Sequence, residues 1–172
     1  MVKNLHKNKV KKLVNKAKEK NLIKTYDDFL ETDEAKKTAV AEDEIKYYTS
    51  LEGKVKKKKK FNIRDIVFVT NYKYKNGKTG TSHIFVIIDD GQAVNIDYFG
   101  FLLSSQVHKI NYPYNEELKK DSINNLNKDS IVKCDDLIKI EEVSIQFKIG
   151  EVTQEDLERF IKTFEKYLSS IN

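Results

Sequence analysis

Residues 54–60, Lys-Val-Lys-Lys-Lys-Lys-Lys, place six like charges in seven positions. No folded core accepts such a run, because each unpaired ammonium would have to shed its water. The run must lie in solvent. It follows Gly53 and precedes a change of hydrophobic period, as a linker does. The sequence therefore divides into a charged helical extension, 1–53, a lysine-rich linker, 54–60, and a domain at 61–172.

The extension is built of charge blocks. Residues 1–24 carry nine Lys against Glu19, and residues 25–53 carry three Lys against nine acids. Within 5–24, Leu5, Val10, Leu13, Val14 and Ala17 recur at helical spacing, which predicts a lysine-rich amphipathic helix. A second, acidic helix is expected over 34–51, with Ala41, Ile45 and Tyr48 on one stripe. Neither has the apolar area to fold alone; each needs the other, the following domain or a partner.

Beyond the linker the period becomes two. Strands are expected at 63–74, 83–89, 94–103 and 129–140, with an Asn-Gly turn at 75–78. The run His83–Asp89 is apolar on both faces, so it belongs at the centre of a sheet. Residues 108–127 are polar, hold the only proline and are expected to be a long surface loop. Residues 153–171 form an amphipathic helix with Leu157, Phe160, Ile161, Phe164 and Leu168 on one stripe and a capping-box-like start at Thr153 and Asp156. The expected fold is mainly β (α+β): a small antiparallel β-barrel closed by a C-terminal helix, preceded by the helical extension.

One cysteine, Cys134, excludes an internal disulfide and suits a reducing compartment. No apolar stretch reaches signal-peptide or membrane-spanning length, so a soluble, cytoplasmic protein is expected, with no membrane partner.

The order of segments in 61–171 resembles the PemK/MazF family of toxin ribonucleases: "RDIVFV", a turn, "SHIFVII", "LLSSQVHKINYP", "LNKDSIVKCDDLIKI" and a final helix. The resemblance implies an SH3-like barrel and a homodimer. It also implies metal-independent, cofactor-free cleavage of single-stranded RNA by 2′-hydroxyl attack, leaving cyclic phosphate and 5′-hydroxyl ends. An antitoxin protein is the usual partner. The family's arginine at the start of the second strand falls on Ser82, the adjoining proline on His83, the threonine after the third strand on Ser104, and the glycine before Asp-Ile-Val on Arg64. The family's principal cation is thus absent from its place, and the alternative is a catalytically degenerate RNA- or protein-binding module.

Such cleavage needs a base for the 2′-hydroxyl, an acid for the leaving 5′-oxygen and donors for charge on the phosphate. The catalytic candidates are His83, whose imidazole titrates near neutral pH, with Ser104 and Ser82. Substrate-binding candidates are Lys78, Ser105, His108 and Lys109, with Tyr72 and Tyr74 as platforms for base stacking. Strand alternation sets Ser82 and His83 on opposite faces, so His83 replaces the arginine only if the alignment slips by one residue or a bulge turns it. Three uses of the extension are open: a basic arm that gathers RNA, an acidic cover that imitates RNA in the groove, or a docking module.

Overall fold

The computed structural model describes residues 2–51, 61–70, 81–91 and 97–171, with side chains in the first helix from His6 onward. The linker at 54–60 and the turn at 75–78 lie outside the described residues. Helix α1 (Val2–Glu19) leads to a two-residue strand β1 (Lys24–Thr25) and three helices, α2 (Tyr26–Leu30), α3 (Asp33–Lys37) and α4 (Glu42–Leu51). Strands β2 (Asp65–Thr70), β3 (Ser82–Asp89) and β4 (Asp97–Ser104) follow, then β5 (Asn115–Leu118), β6 (Ser130–Glu141), β7 (Ile145–Glu151) and helix α5 (Gln154–Ser170).

The sheet order is β1-β6-β4-β3-β2-β7, with β5 also paired to β6. All pairings are antiparallel except β1 on β6. The expected closed barrel is corrected here: among the described residues no pairing joins β7 back to β5 or β6, and the sheet is open. The fold is α+β. β3 is central, as its two apolar faces require.

Strand β6 carries two short neighbours, β1 and β5, along the edge that faces away from β4. Its register against β4 runs Phe101↔Leu137 and then Leu102↔Lys133, so Cys134, Asp135 and Asp136 form an extra bulge. One end of β6 then pairs with β5 and the other with β1.

Each face has its own core. On the first, Ile66, Phe68, Ile84, Val86 and Ile88 meet Leu157, Phe160, Ile161 and Phe164 of α5 and Val10, Val14 and Ala17 of α1. On the second, Val67, Val69, Phe85, Ile87 and Leu102 meet Tyr26, Phe29 and Leu30 of α2 and Ala35 of α3. The extension thus contributes to both cores, taking the second of the three supports its weak helices needed.

Two expectations change in detail. The acidic helix expected over 34–51 is two helices, interrupted at 38–41 where the amide of Val40 donates to the carbonyl of Ser82 (2.8 Å). The surface loop expected over 108–127 contains β5, whose partner strand supplies the pairing that its polar sequence does not advertise.

Candidate functional site

His83 occupies the start of β3 with its side chain on the second face, in line with Phe85 and Ile87. That face is where α2 and α3 lie. Both short helices are started by a threonine: Thr25 Oγ1 accepts from the amide of Asp28, and Thr32 Oγ1 from that of Ala35. Five-residue helices do not persist by themselves, so the sheet holds them in place.

The imidazole of His83 is 0% exposed. Its Nε2 donates to the carbonyl oxygen of Ala35 (2.7 Å), which fixes the tautomer; Nδ1 then accepts from the Tyr26 hydroxyl (3.1 Å). Phe29 meets the ring edge-on at 5.0 Å between centroids, and Tyr26 does so at 5.9 Å. Burial pushes the imidazole pKa down, and the Ala35 carbonyl only partly opposes this. In this conformation His83 therefore faces no open groove: both ring nitrogens are bonded, and Tyr26, Phe29 and Ala35 cover it.

Ser82 points the other way. Its hydroxyl shares a hydrogen bond with Thr70 Oγ1 (2.9 Å) and is buried, so Ser82 and His83 do not form one site. Ser104 is a different case. The β3–β4 register pairs Ile84 with Leu103, and one further step sets Ser104 across from His83. Its hydroxyl accepts from the amide of Gln106 (3.2 Å), and the residue borders a narrow recess with Thr38, Val40, Tyr48 and Lys128. In that recess burial pushes the Tyr48 phenol up to about 12, so it stays protonated.

Ser105, His108 and Lys109 continue from the end of β4; the first two are exposed and Lys109 is half-buried. Tyr72, Tyr74 and Lys78 lie outside the described residues. The structure thus gathers Ser104, Ser105, His108 and Lys109 at one end of β4.

Two lysines there were not singled out in the sequence. Lys133 bonds Glu34 of α3 (2.7 Å), and Lys128 pairs with Glu44 of α4 (3.0 Å). Burial pushes the Glu34 carboxyl up, but the bond and charge of Lys133, with Lys109 and Lys37 nearby, outweigh it and hold the pKa below the usual value. Gln106 Nε2 donates to the carbonyl of Lys37, tying the same end of β4 to the extension. The acidic block of the extension was legible; its seats on Lys128 and Lys133 depend on folding across 84 to 99 positions, and no local pattern marks them.

Among the described residues no group of three or more His, Cys, Asp or Glu side chains is placed to hold a metal ion. No described helix is long and apolar enough to cross a membrane.

No family model matches the sequence, and no curated protein matches it. Two solved structures are among those similar to this chain. One is the Mycobacterium tuberculosis toxin MazF-mt6, at 14% identity and TM-score 0.43, over 62% of this chain and 94% of the other. The second is an endoribonuclease from mycobacterial species, at 13% identity and TM-score 0.44, over 63% and 91%. Neither likeness assigns a role to a residue of this chain.

Proposed function

We propose that this chain is a toxin-type endoribonuclease for single-stranded RNA, held closed by its own residues 26–37. The observation that carries the reading is the seating of Glu34 of α3 on Lys133, together with Glu44 of α4 on Lys128 beside Ser104. Carboxylates of the chain occupy the cations that phosphates of a strand would otherwise meet. The segment order of 61–171 supplies the reaction class by its resemblance to the PemK/MazF toxins.

Lifting α2 and α3 uncovers His83 across from Ser104. Released from Tyr26, Nδ1 of His83 takes the proton of the ribose 2′-hydroxyl. The 2′-oxygen bonds to phosphorus as the bond to the 5′-oxygen breaks, leaving a cyclic phosphate and a 5′-hydroxyl. Ser104 donates to a phosphate oxygen, His108 protonates the leaving oxygen, and Lys109, Lys128 and Lys133 hold the strand. No cofactor enters these steps. In this reading Ser105 and the region of Tyr72, Tyr74 and Lys78 extend the substrate contacts, and the chain works as a homodimer. The same uncovered face is where a separate antitoxin peptide would compete with the extension.

A second reading is favoured by the burial of His83 with both ring nitrogens engaged: a module that binds RNA or protein and no longer cuts. The test uses the full chain, because removing residues 1–60 would strip Val10, Val14 and Ala17 from the first core. A Glu34→Lys/Phe29→Ala double variant and the parent are incubated with a long unstructured RNA and EDTA. Cuts with cyclic phosphate ends, faster in the double variant and lost with His83→Ala added, support the nuclease. RNA retention without cuts in either protein supports the second reading and ends the first.

A further inference from the structure

At the opposite end of β3 from His83, Arg64 adopts φ 83°, a left-handed conformation that a long side chain rarely takes and glycine takes freely. Four bonds keep it there. Its amide donates to Ile87 O (2.8 Å), its carbonyl accepts from the amide of Val152 (2.9 Å), Nε donates to Val152 O (2.8 Å), and Nη2 reaches Glu151 at 3.5 Å. Strain held this firmly calls for a use of the side chain.

The guanidinium stands at a cleft of about 260 Å³ between α1 and the start of α5. Val10, Ile63 and Leu157 form an apolar wall, while His6, Lys7 and Arg64 supply the polar side, with Gln154 at its edge. Nε2 of His6 is buried and has no hydrogen-bond partner among the described residues. Lys7 reaches Asp90 only at 3.5 Å, the same long separation as Arg64 to Glu151, so neither cation is fully neutralised. Gln154 is the first residue of the 17-residue α5, whose amide end adds partial positive charge, although Glu155 and Asp156 in that turn offset part of it. Asp156 is itself engaged by Arg159 (3.0 Å).

We propose that this cleft binds a small phosphomonoester, with the phosphate on His6, Lys7 and Arg64 and its organic body against Val10, Ile63 and Leu157. Three nitrogen-bearing side chains on one cleft suit a tetrahedral oxyanion, and the apolar wall gives an attached ring somewhere to lie. The site is independent of the RNA reading. It sits at the other end of the sheet and its test uses no RNA.

Calorimetric titration of the full chain compares inorganic phosphate, adenosine 5′-monophosphate and adenosine. The monophosphate binds most tightly and adenosine most weakly. Arg64→Gly relaxes the backbone at φ 83° but gives up the side-chain bonds to Val152 and Glu151, so its urea midpoint is read alongside its affinity; the monophosphate is expected to weaken about tenfold or more. His6→Ala gives a loss of the same direction and stands as the test should the glycine variant not fold. The proposal is overturned if phosphate and monophosphate do not bind, if adenosine binds as well as its phosphate, or if both variants bind like the parent.

Discussion

The two faces of the sheet are covered in different ways. On the first, α5 seals the core with Leu157, Phe160, Ile161, Phe164 and Leu168, and α1 adds Val10, Val14 and Ala17. At about 1.5–3 kcal/mol for each large apolar side chain buried, the α5 stripe alone contributes on the order of 10 kcal/mol as an upper bound. On the second face the cover is two five-residue helices with Tyr26, Phe29, Leu30 and Ala35 buried, supplemented by polar fastenings. These are the two bonds to His83, the Glu34–Lys133 pair and the Val40–Ser82 bond. A greasy cover comes off only with the fold. A short cover tied by hydrogen bonds and charge has less to lose on leaving the sheet, which is why the proposed reading puts the opening on the second face.

The largest effect expected is at Phe160, where truncation to alanine removes a fully buried ring from the first core and costs about 3–5 kcal/mol, read from urea unfolding. Phe29→Ala empties an equally buried position on the second face. Its global cost is expected to be smaller, because α2 and α3 detach locally instead, and limited proteolysis then cuts within residues 26–41. Equal losses for the two rings would break the comparison.

A pH series sharpens it. The His83 pKa is lowered in the folded state, so below the unfolded value of about 6.5 the unfolded chain binds more protons. Stability is then lost as pH falls from about 6.5 towards the folded pKa, by up to about 1.4 kcal/mol per pH unit. Burial and Asp90 push the Asp89 carboxyl up, and burial does the same to Asp135; these act in the opposite direction as pH falls. The difference between the parent and His83→Gln isolates the imidazole: the variant's urea midpoint is expected to fall less between pH 7 and pH 5.5.

Smallest is Glu34→Gln. The pair with Lys133 is only partly shielded, with side chains 27% and 20% exposed, so its loss costs about 1 kcal/mol or less. The difference from the parent should shrink further in high salt.

How much of this was legible depends on whether the deciding contact was local. The strands around 65–70 and 82–89 and the helix from Thr153 follow from period and capping, because alternation and a 3.6-residue stripe are properties of neighbours in sequence. Strand β7 carries alternating Ile145, Phe147 and Ile149, a period-two signal of the same local kind. Helix α2 had none: five residues are too few for a period, and it persists by packing Phe29 on His83 and Phe85. The same distance problem governs the site. Alternation correctly separated Ser82 from His83, but what lies over His83 comes from Tyr26 and Ala35, 57 and 48 positions away. A histidine at the start of a strand looks alike in sequence whether a substrate or the chain's own backbone meets it.

The central claim is that residues 26–37 and an RNA strand compete for one face. Hydrogen exchange on the full-length His83→Ala protein, whose chemistry is disabled, measures this directly as single-stranded RNA is added. The account predicts faster exchange of the α2 and α3 amides at saturating RNA, with α5 unchanged. Bound RNA that leaves α2 and α3 as protected as before would contradict it.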